Sequence, residues 1–332
     1  MLIVADKHIP YLLPRLRCFG EVQLLEPEQI TRKAVEKADA LIVRTRTRCD
    51  VDLLSGSNVR FIGTATIGYD HIDTIYCNRH NIVWTNAPGC NAAGVCQYVV
   101  NAVREYENSG LRISKSDKST TIGIIGVGHV GRLVAQYYKE QGCRVLVNDP
   151  PVEQQQGSDY LSSFGKVVTL KELASEADII TVHTPLNNSG DYPTHYLINE
   201  RLLSLTKQEA LIINAARGGI VDEKALLKSG RAFVLDCWEN EPELDVEVLQ
   251  RSFLGTYHIA GYTKQGKQNA TDMILFALGQ FASGGQVDLS PIEKTINQHL
   301  SSYEPFDIKS ISEQLKCSPK DFEKLRKAYV LR

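Results

Sequence analysis

The feature that most constrains this chain is a glycine fingerprint, Gly126-Val127-Gly128-His129-Val130-Gly131. An apolar run, Thr121–Ile125, leads into it, and a helical pattern from Arg132 to Tyr137 follows. A second apolar run, Cys143–Val147, then ends in Asn148-Asp149. Strand, tight turn, helix, strand and acid is the order a dinucleotide fold requires. Gly126 permits the turn, Gly128 lets the backbone approach a pyrophosphate, and Gly131 lets helix and strand pack closely. The helix start offers free N–H groups to phosphates, with His129 flanking them, and Asp149 can accept hydrogen bonds from an adenosine ribose. That carboxylate repels a 2′-phosphate, and Pro150 and Pro151 follow where a compensating arginine could have stood. The expected cofactor is NAD.

The fingerprint lies far from the N-terminus, so another domain precedes it. A chain of 332 residues is too long for one ordinary core and suits two. Its 43% hydrophobic and 23% charged content is that of a soluble globular protein. A formal net charge of −2 gives no attraction for nucleic acid or a membrane surface, and the longest apolar stretches fall short of a bilayer span. The opening MLIVADKHIP reads as a first strand rather than a signal peptide. Eight scattered cysteines without a CxxC pair predict free thiols in a reducing cytoplasm, with no disulfide frame and no metal site.

Apolar runs at Leu2–Ala5, Val22–Leu25, Ala40–Val43, Phe61–Thr64 and Ile82–Trp84 predict buried strands of a parallel sheet. Helical stretches lie between them at Thr31–Ala38 and Asp50–Leu54. Asn91–Tyr106 reads as one long helix leading into the nucleotide domain, and Ser114–Ser119 as an exposed polar turn. Beyond Asp149, strands are expected at Ile179–His183, Ala210–Ala215 and Ala232–Asp236, with helices at Glu223–Lys228 and Lys267–Phe281.

Three charged or titratable residues stand near the ends of successive runs: Arg217, Glu241 and His258. Strand ends of a parallel sheet face the crevice where ligands bind. Arginine offers a bidentate fork for a carboxylate. Histidine trades a proton near neutral pH, and a glutamate on its other nitrogen fixes the tautomer. Beside a nicotinamide, this trio can move a hydride and a proton at a 2-hydroxy acid. In the first domain, Arg44, Arg46 and Arg48 alternate with threonines, so on a strand all three would point one way and could clamp a phosphate. A solvated edge is the plainer reading of Arg46 and Arg48. His71 is expected to support a turn.

The order GVGHVG, Asp149, HTPL, NAARGGIVDE, DCWENEP, HIAG resembles the D-isomer-specific 2-hydroxyacid dehydrogenases over nearly the whole chain. The resemblance implies an α/β fold of two Rossmann-like domains with parallel sheets, one flavodoxin-like for substrate and one for the dinucleotide, with a cleft between them. A substrate domain of 1–92 plus 263–284, an NAD-binding domain of 93–262 and a short helical dimerisation segment of 285–332 are expected. By resemblance His258 is the acid/base, Glu241 orients it, and Arg217 grips the substrate carboxylate. Asp236, Thr184, Pro185, Val130 and Gly261 would contact NAD, and Thr45, Thr66 and Tyr262 the substrate; Arg44 is added from its position. The segments GTATIGYDHID, APGCNAAGV, NDPP and HIAGYTKQGK resemble one branch of that family, and the resemblance implies a four-carbon phosphorylated hydroxy acid, 4-phospho-D-erythronate, as substrate in pyridoxal 5′-phosphate synthesis. The shorter 3-phosphoglycerate is the alternative substrate. A cytoplasmic homodimer is implied.

One segment suggests another class. Ile311–Pro319 faintly resembles a helix-turn-helix, which would make the chain an NAD-sensing DNA-binding regulator with Lys320, Lys324, Arg326 and Lys327 on phosphates. Asp321 and Glu323 on the same short helix, and the slightly acidic chain, weigh against it. Ser318 and Pro319 read as an N-cap and first turn.

Overall fold

The computed structural model describes residues 1–111, 120–296 and 305–332. The polar turn expected at 114–119 lies outside these residues. The chain forms two compact units, one of Met1–Asn91 with Tyr262–Gln298 and one of Ala92–Gly261 with His299–Arg332.

The first unit is built on β1 (Leu2–Asp6), β2 (Glu21–Leu25), β3 (Ala40–Val43), β4 (Phe61–Thr64) and β5 (Val83–Thr85), all parallel, in the order β2-β1-β3-β4-β5. Successive side chains of a strand face opposite ways, and here both faces are covered. Ile3, Ala5, Ile42 and Phe61 enter one apolar cluster, Val4, Leu41, Val43 and Ile62 the other. The helix Lys264–Ala282 supplies much of the first cluster through Met273, Ile274 and Leu278, each fully buried. Such burial contributes about 1.5–3 kcal/mol per side chain. Thr263 caps the helix by accepting the Gly266 N–H at 2.9 Å. The helices expected at 31–38 and 50–54 shorten to Arg32–Val35 and Val51–Leu54, the latter capped by the Asp50 carboxylate.

The second unit carries β6 (Thr121–Ile125), β7 (Arg144–Asn148), β8 (Lys166–Val167), β9 (Ile179–Val182), β10 (Leu211–Asn214), β11 (Ala232–Leu235) and β12 (Leu254–Gly255). They form a parallel sheet in the order β12-β11-β10-β9-β6-β7-β8. The expected long helix runs Ala92–Asn108. β8 and β12 were not foreseen, because two residues are too few to stand out as an apolar run.

Residues after Gly285 divide between the units. The helix Ser290–Ile296 falls in the first, whereas the helix Ile308–Cys317 lies along β12 in the second. Ser312 Oγ accepts the Gly255 N–H at 2.9 Å, and Lys316 Nζ donates to Ser252 O at 2.5 Å. Ile308 and Leu315 of this helix are fully buried, as is Phe322 at the start of the next. A helix thus covers what would be an open sheet edge. Ser318 stands at the N-cap and Pro319 in the first turn, as expected, but the turn is a 3₁₀ helix, Pro319–Asp321, and the serine side chain makes no cap. Lys324 and Arg326 pair with Asp321 and Glu323. No helix among the described residues is long and apolar enough to cross a membrane.

Candidate active site

The fingerprint builds a cradle between β6 and the helix His129–Glu140. Gly126 has φ +88°, and a Cβ on Gly131 would stand 1.9 Å from Gly126 O, so turn and helix meet only with glycine at both positions. A Cβ on Gly128, in contrast, would meet nothing within 4 Å. The space in front of this residue is open, and no side chain caps the helix it begins. The N–H groups of the first turn are therefore available to an anion. Asp149 ties the cradle to β7. Its Oδ2 accepts the Val127 N–H at 2.7 Å, and its Oδ1 accepts the Val152 N–H at 3.1 Å to cap the helix Pro150–Gln156. Gly126, Gly128, Asp149, Pro150, Thr184 and Pro185 share the wall of a cavity of about 920 Å³, a size that suits a cofactor. Thr184 Oγ1 is buried in this wall without a hydrogen-bond partner. An open phosphate-sized cradle, an uncapped helix start and an orphaned hydroxyl fit a dinucleotide. His129 Nδ1 lies 3.2 Å from Arg132 Nη2, beside the cradle. His183, also in the wall, is pushed down to about 3 by burial and stays neutral.

Arg217, Glu241 and His258 follow the ends of β10, β11 and β12, which are neighbours in the sheet. Each arrives by its own turn. After β10, Asn214 Nδ2 donates to Arg217 O at 2.8 Å while its Oδ1 accepts the Ala216 N–H at 3.1 Å, which leaves Arg217 exposed. After β11, Glu241 Oε1 accepts the Trp238 N–H at 2.9 Å and fixes the carboxylate. These two turns touch closely, since a Cβ on Gly218 would stand 1.8 Å from Trp238 O. After β12, His258 takes a left-handed backbone, φ +58°, an unusual setting for a residue with a Cβ.

His258 Nδ1 lies 2.8 Å from Glu241 Oε2. Burial disfavours the charged imidazole, but contacts with Cys237 and Glu241 outweigh it and hold His258 well above its ordinary pKa. Glu241 is the anion responsible near neutrality, because burial keeps the Cys237 thiol protonated. The carboxylate receives Nδ1–H and leaves Nε2 as the proton-exchanging nitrogen.

Asp236, expected against the nicotinamide, is buried and holds the His258 segment. Its Oδ1 accepts from Thr256 Oγ1 at 2.6 Å and from the Ile259 N–H at 2.8 Å, and its Oδ2 accepts the Ala260 N–H at 2.9 Å. Since Thr256 donates to Asp236, the buried Tyr98 hydroxyl donates to Thr256 Oγ1 at 2.7 Å. Arg332 holds the same segment through its carbonyls, donating to Ile259 O at 3.1 Å and to Ala260 O. Nothing local in the sequence signals these supports. Tyr98 and Arg332 lie far along the chain from the atoms they hold.

The remaining expected residues belong to the first unit. β3 ends at Val43 and a turn follows, so the strand alternation assumed for Arg44, Arg46 and Arg48 does not apply. The Arg44 fork is taken by the fully buried Asp6, with Nε at 2.7 Å and Nη2 at 3.1 Å, and is not held free for a phosphate. Arg48 pairs with Asp50 at 2.8 Å, and Thr45 is exposed. Thr66 Oγ1 donates to Gly68 O at 2.9 Å and lies 2.7 Å from Thr64 Oγ1, which lies 2.9 Å from His71 Nε2. His71 thus does more than support a turn: it ends a hydroxyl chain that orients Thr66. Tyr262 carries Lys267 Nζ over its ring at 4.5 Å.

A dinucleotide cradle and a buttressed Glu–His pair on one parallel sheet define a nucleotide-linked dehydrogenase. Residues 95–260 match the NAD binding domain of the D-isomer specific 2-hydroxyacid dehydrogenases, and the chain belongs to that family. NAD is its cofactor. Among named relatives, erythronate-4-phosphate dehydrogenase of Bacteroides fragilis (strain ATCC 25285) is 40% identical, covering 100% of this chain and 97% of its own. The enzyme of the same name from Pseudomonas fluorescens (strain Pf0-1) is 42% identical over 88% of this chain and 76% of its own. Among solved structures, D-lactate dehydrogenase from Aquifex aeolicus, complexed with NAD and lactic acid, shares the fold at TM-score 0.65 and 24% identity. It covers 86% of this chain and 96% of its own.

Proposed function

We propose that the protein oxidises 4-phospho-D-erythronate at C2 with NAD, giving 2-oxo-3-hydroxy-4-phosphobutanoate for pyridoxal 5′-phosphate synthesis. The observation that carries the substrate is the 40% identity, across 97% of its length, to a relative named for that acid. The reaction type rests on the Glu241–His258 pair. Held by the Gly126–Gly131 cradle and the wall of Asp149, Thr184 and Pro185, NAD would supply the acceptor for the C2 hydride. His258 Nε2 accepts the proton of the C2 hydroxyl, and Glu241 stabilises the imidazolium that forms. Arg217 presents a fork to the substrate carboxylate and polarises the C2 oxygen, a task for which a lysine point charge is no substitute. Thr45, Thr66 and Tyr262 are our substrate contacts, by family resemblance. The same resemblance underlies a cytoplasmic homodimer, whose mass sedimentation velocity would read.

Purified protein is to be assayed for NADH formation with 4-phosphoerythronate and with 3-phosphoglycerate. A 2-oxo acid acceptor runs in parallel and is read by product analysis, in case reduced cofactor stays bound. Higher kcat/KM on the four-carbon acid is expected. Preference for the three-carbon acid would keep the chemistry and overturn the substrate.

A further inference from the structure

Cys237 contacts His258, yet the proton-transfer chemistry does not use it. Cys237 Sγ, a Glu241 carboxylate oxygen and a His258 ring nitrogen all lie within 4.8 Å of one another. Among the described residues no other trio of His, Cys, Asp and Glu comes together in this way. We propose that these three side chains form a binding site for a zinc ion, which switches the enzyme off while it is bound.

The donor set and its geometry carry this inference. Zinc bonds of about 2.0–2.3 Å place tetrahedral ligands roughly 3.5 Å apart. The Glu241 and His258 atoms already stand 2.8 Å apart, so adjustments of about an ångström close the set. Sulfur, imidazole nitrogen and carboxylate oxygen together select a borderline-soft ion over magnesium or calcium, which take oxygen ligands. Three protein ligands leave a fourth position for water, the arrangement of an open zinc site. The ligands are also largely in place beforehand. Cys237 and Glu241 share one turn, the carboxylate is fixed by the Trp238 N–H, and Asp236 holds the peptides that follow His258. Cys237 is 1% exposed, while the His258 and Glu241 side chains are 29% and 21% exposed, so an ion enters past the latter two. On binding, the Cys237 thiol releases its proton to solvent as the sulfur–metal bond forms. A metal on His258 removes the imidazole from proton transfer, so turnover stops and returns when a chelator withdraws the ion.

The inhibitory consequence rests on the function proposed above, whereas binding does not, and the test separates the two. Protein without substrate is titrated with Co²⁺, followed by thiolate-to-cobalt charge-transfer absorption, and then with Zn²⁺ in competition. We expect one equivalent to bind with that absorption. Cys237→Ser should abolish the band and weaken affinity at least tenfold, since even outer-shell changes cost about 10–100-fold. A double variant of the exposed thiols, Cys18→Ser with Cys317→Ser, should keep both. NAD binding reports whether Cys237→Ser is folded; should it not fold, Glu241→Gln in the same titration must lose affinity by a similar factor. An unchanged band or affinity in the tested variant overturns the site. So does dependence on the surface thiols. A protein that binds cobalt through Cys237 yet oxidises no phosphorylated hydroxy acid would sink the functional reading alone.

Discussion

The two peptide groups after His258 are gripped from opposite polarities: Asp236 takes their N–H groups and the Arg332 guanidinium takes carbonyls. This grip maintains a left-handed histidine that the backbone alone disfavours by about 1–2 kcal/mol. His258→Asn should lower kcat by about 10²–10⁴-fold while NAD affinity, read by fluorescence titration, stays within a few-fold. Near-native turnover would remove His258 from its role. Oxidation needs the neutral imidazole, so activity rises with pH through the His258 pKa. Glu241 raises that pKa, and Glu241→Gln should therefore move the acidic limb of kcat/KM to lower pH as well as reduce kcat. Glu223 behaves differently. Burial raises its folded pKa to about 7, above the unfolded value, so ionisation opposes folding in full above that pH, and the penalty fades as pH falls from there to the unfolded value. Glu223→Gln should stabilise the fold at pH 8, by at most about 3 kcal/mol, with little change at pH 5 in urea titrations. Arg217 and Glu241 stood out as candidates because each follows a readable apolar run, whereas His258 rested on the family motif HIAG, and the structure pairs it with Glu241. Cys237 was passed over because a lone thiol in sequence says nothing about its neighbours. Tyr98 and Arg332 were hidden because packing alone brings them to their partners.

At the scale of elements, one carboxylate does two jobs. Asp149 holds the fingerprint turn through Val127 and caps the next helix through Val152. Asp149→Ala should cost about 1 kcal/mol of stability through the lost cap and raise the Kd for NAD, measured by calorimetry. If Kd is unmoved, the carboxylate is structural only. The pattern of strand, glycine turn, helix and acid was readable because it is local and each residue has its own steric reason. The alternation assumed for Arg44, Arg46 and Arg48 fails because it holds only while the strand continues, and β3 stops one residue before Arg44. β8 and β12 went unseen for want of length, although β12 carries the chain to His258.

Across the whole molecule, the tail helix Ile308–Cys317 completes the second sheet as a lateral cover, with Ser312 saturating an edge N–H. Removing 305–332 should lower the melting temperature and produce association visible by light scattering, because it uncovers apolar side chains and an unpaired edge. A truncated protein that melts unchanged and stays monodisperse would show the cover to be dispensable. The division into two parallel sheets was visible in the rhythm of apolar runs. How the last residues distribute between them was not, because the partners of the tail are contributed by segments far away in sequence.

The first unit draws its strands from the start of the chain and its covering helix, Lys264–Ala282, from near the end. During synthesis, Ile3, Ile42 and Phe61 leave the ribosome long before Met273, Ile274 and Leu278 exist to meet them. At about 5–20 residues per second, the wait is on the order of 10–50 s. Through that interval a nascent chain displays one bare apolar face of a finished sheet, and ribosome-arrested chains ending before residue 264 should be cut by protease where released protein is not.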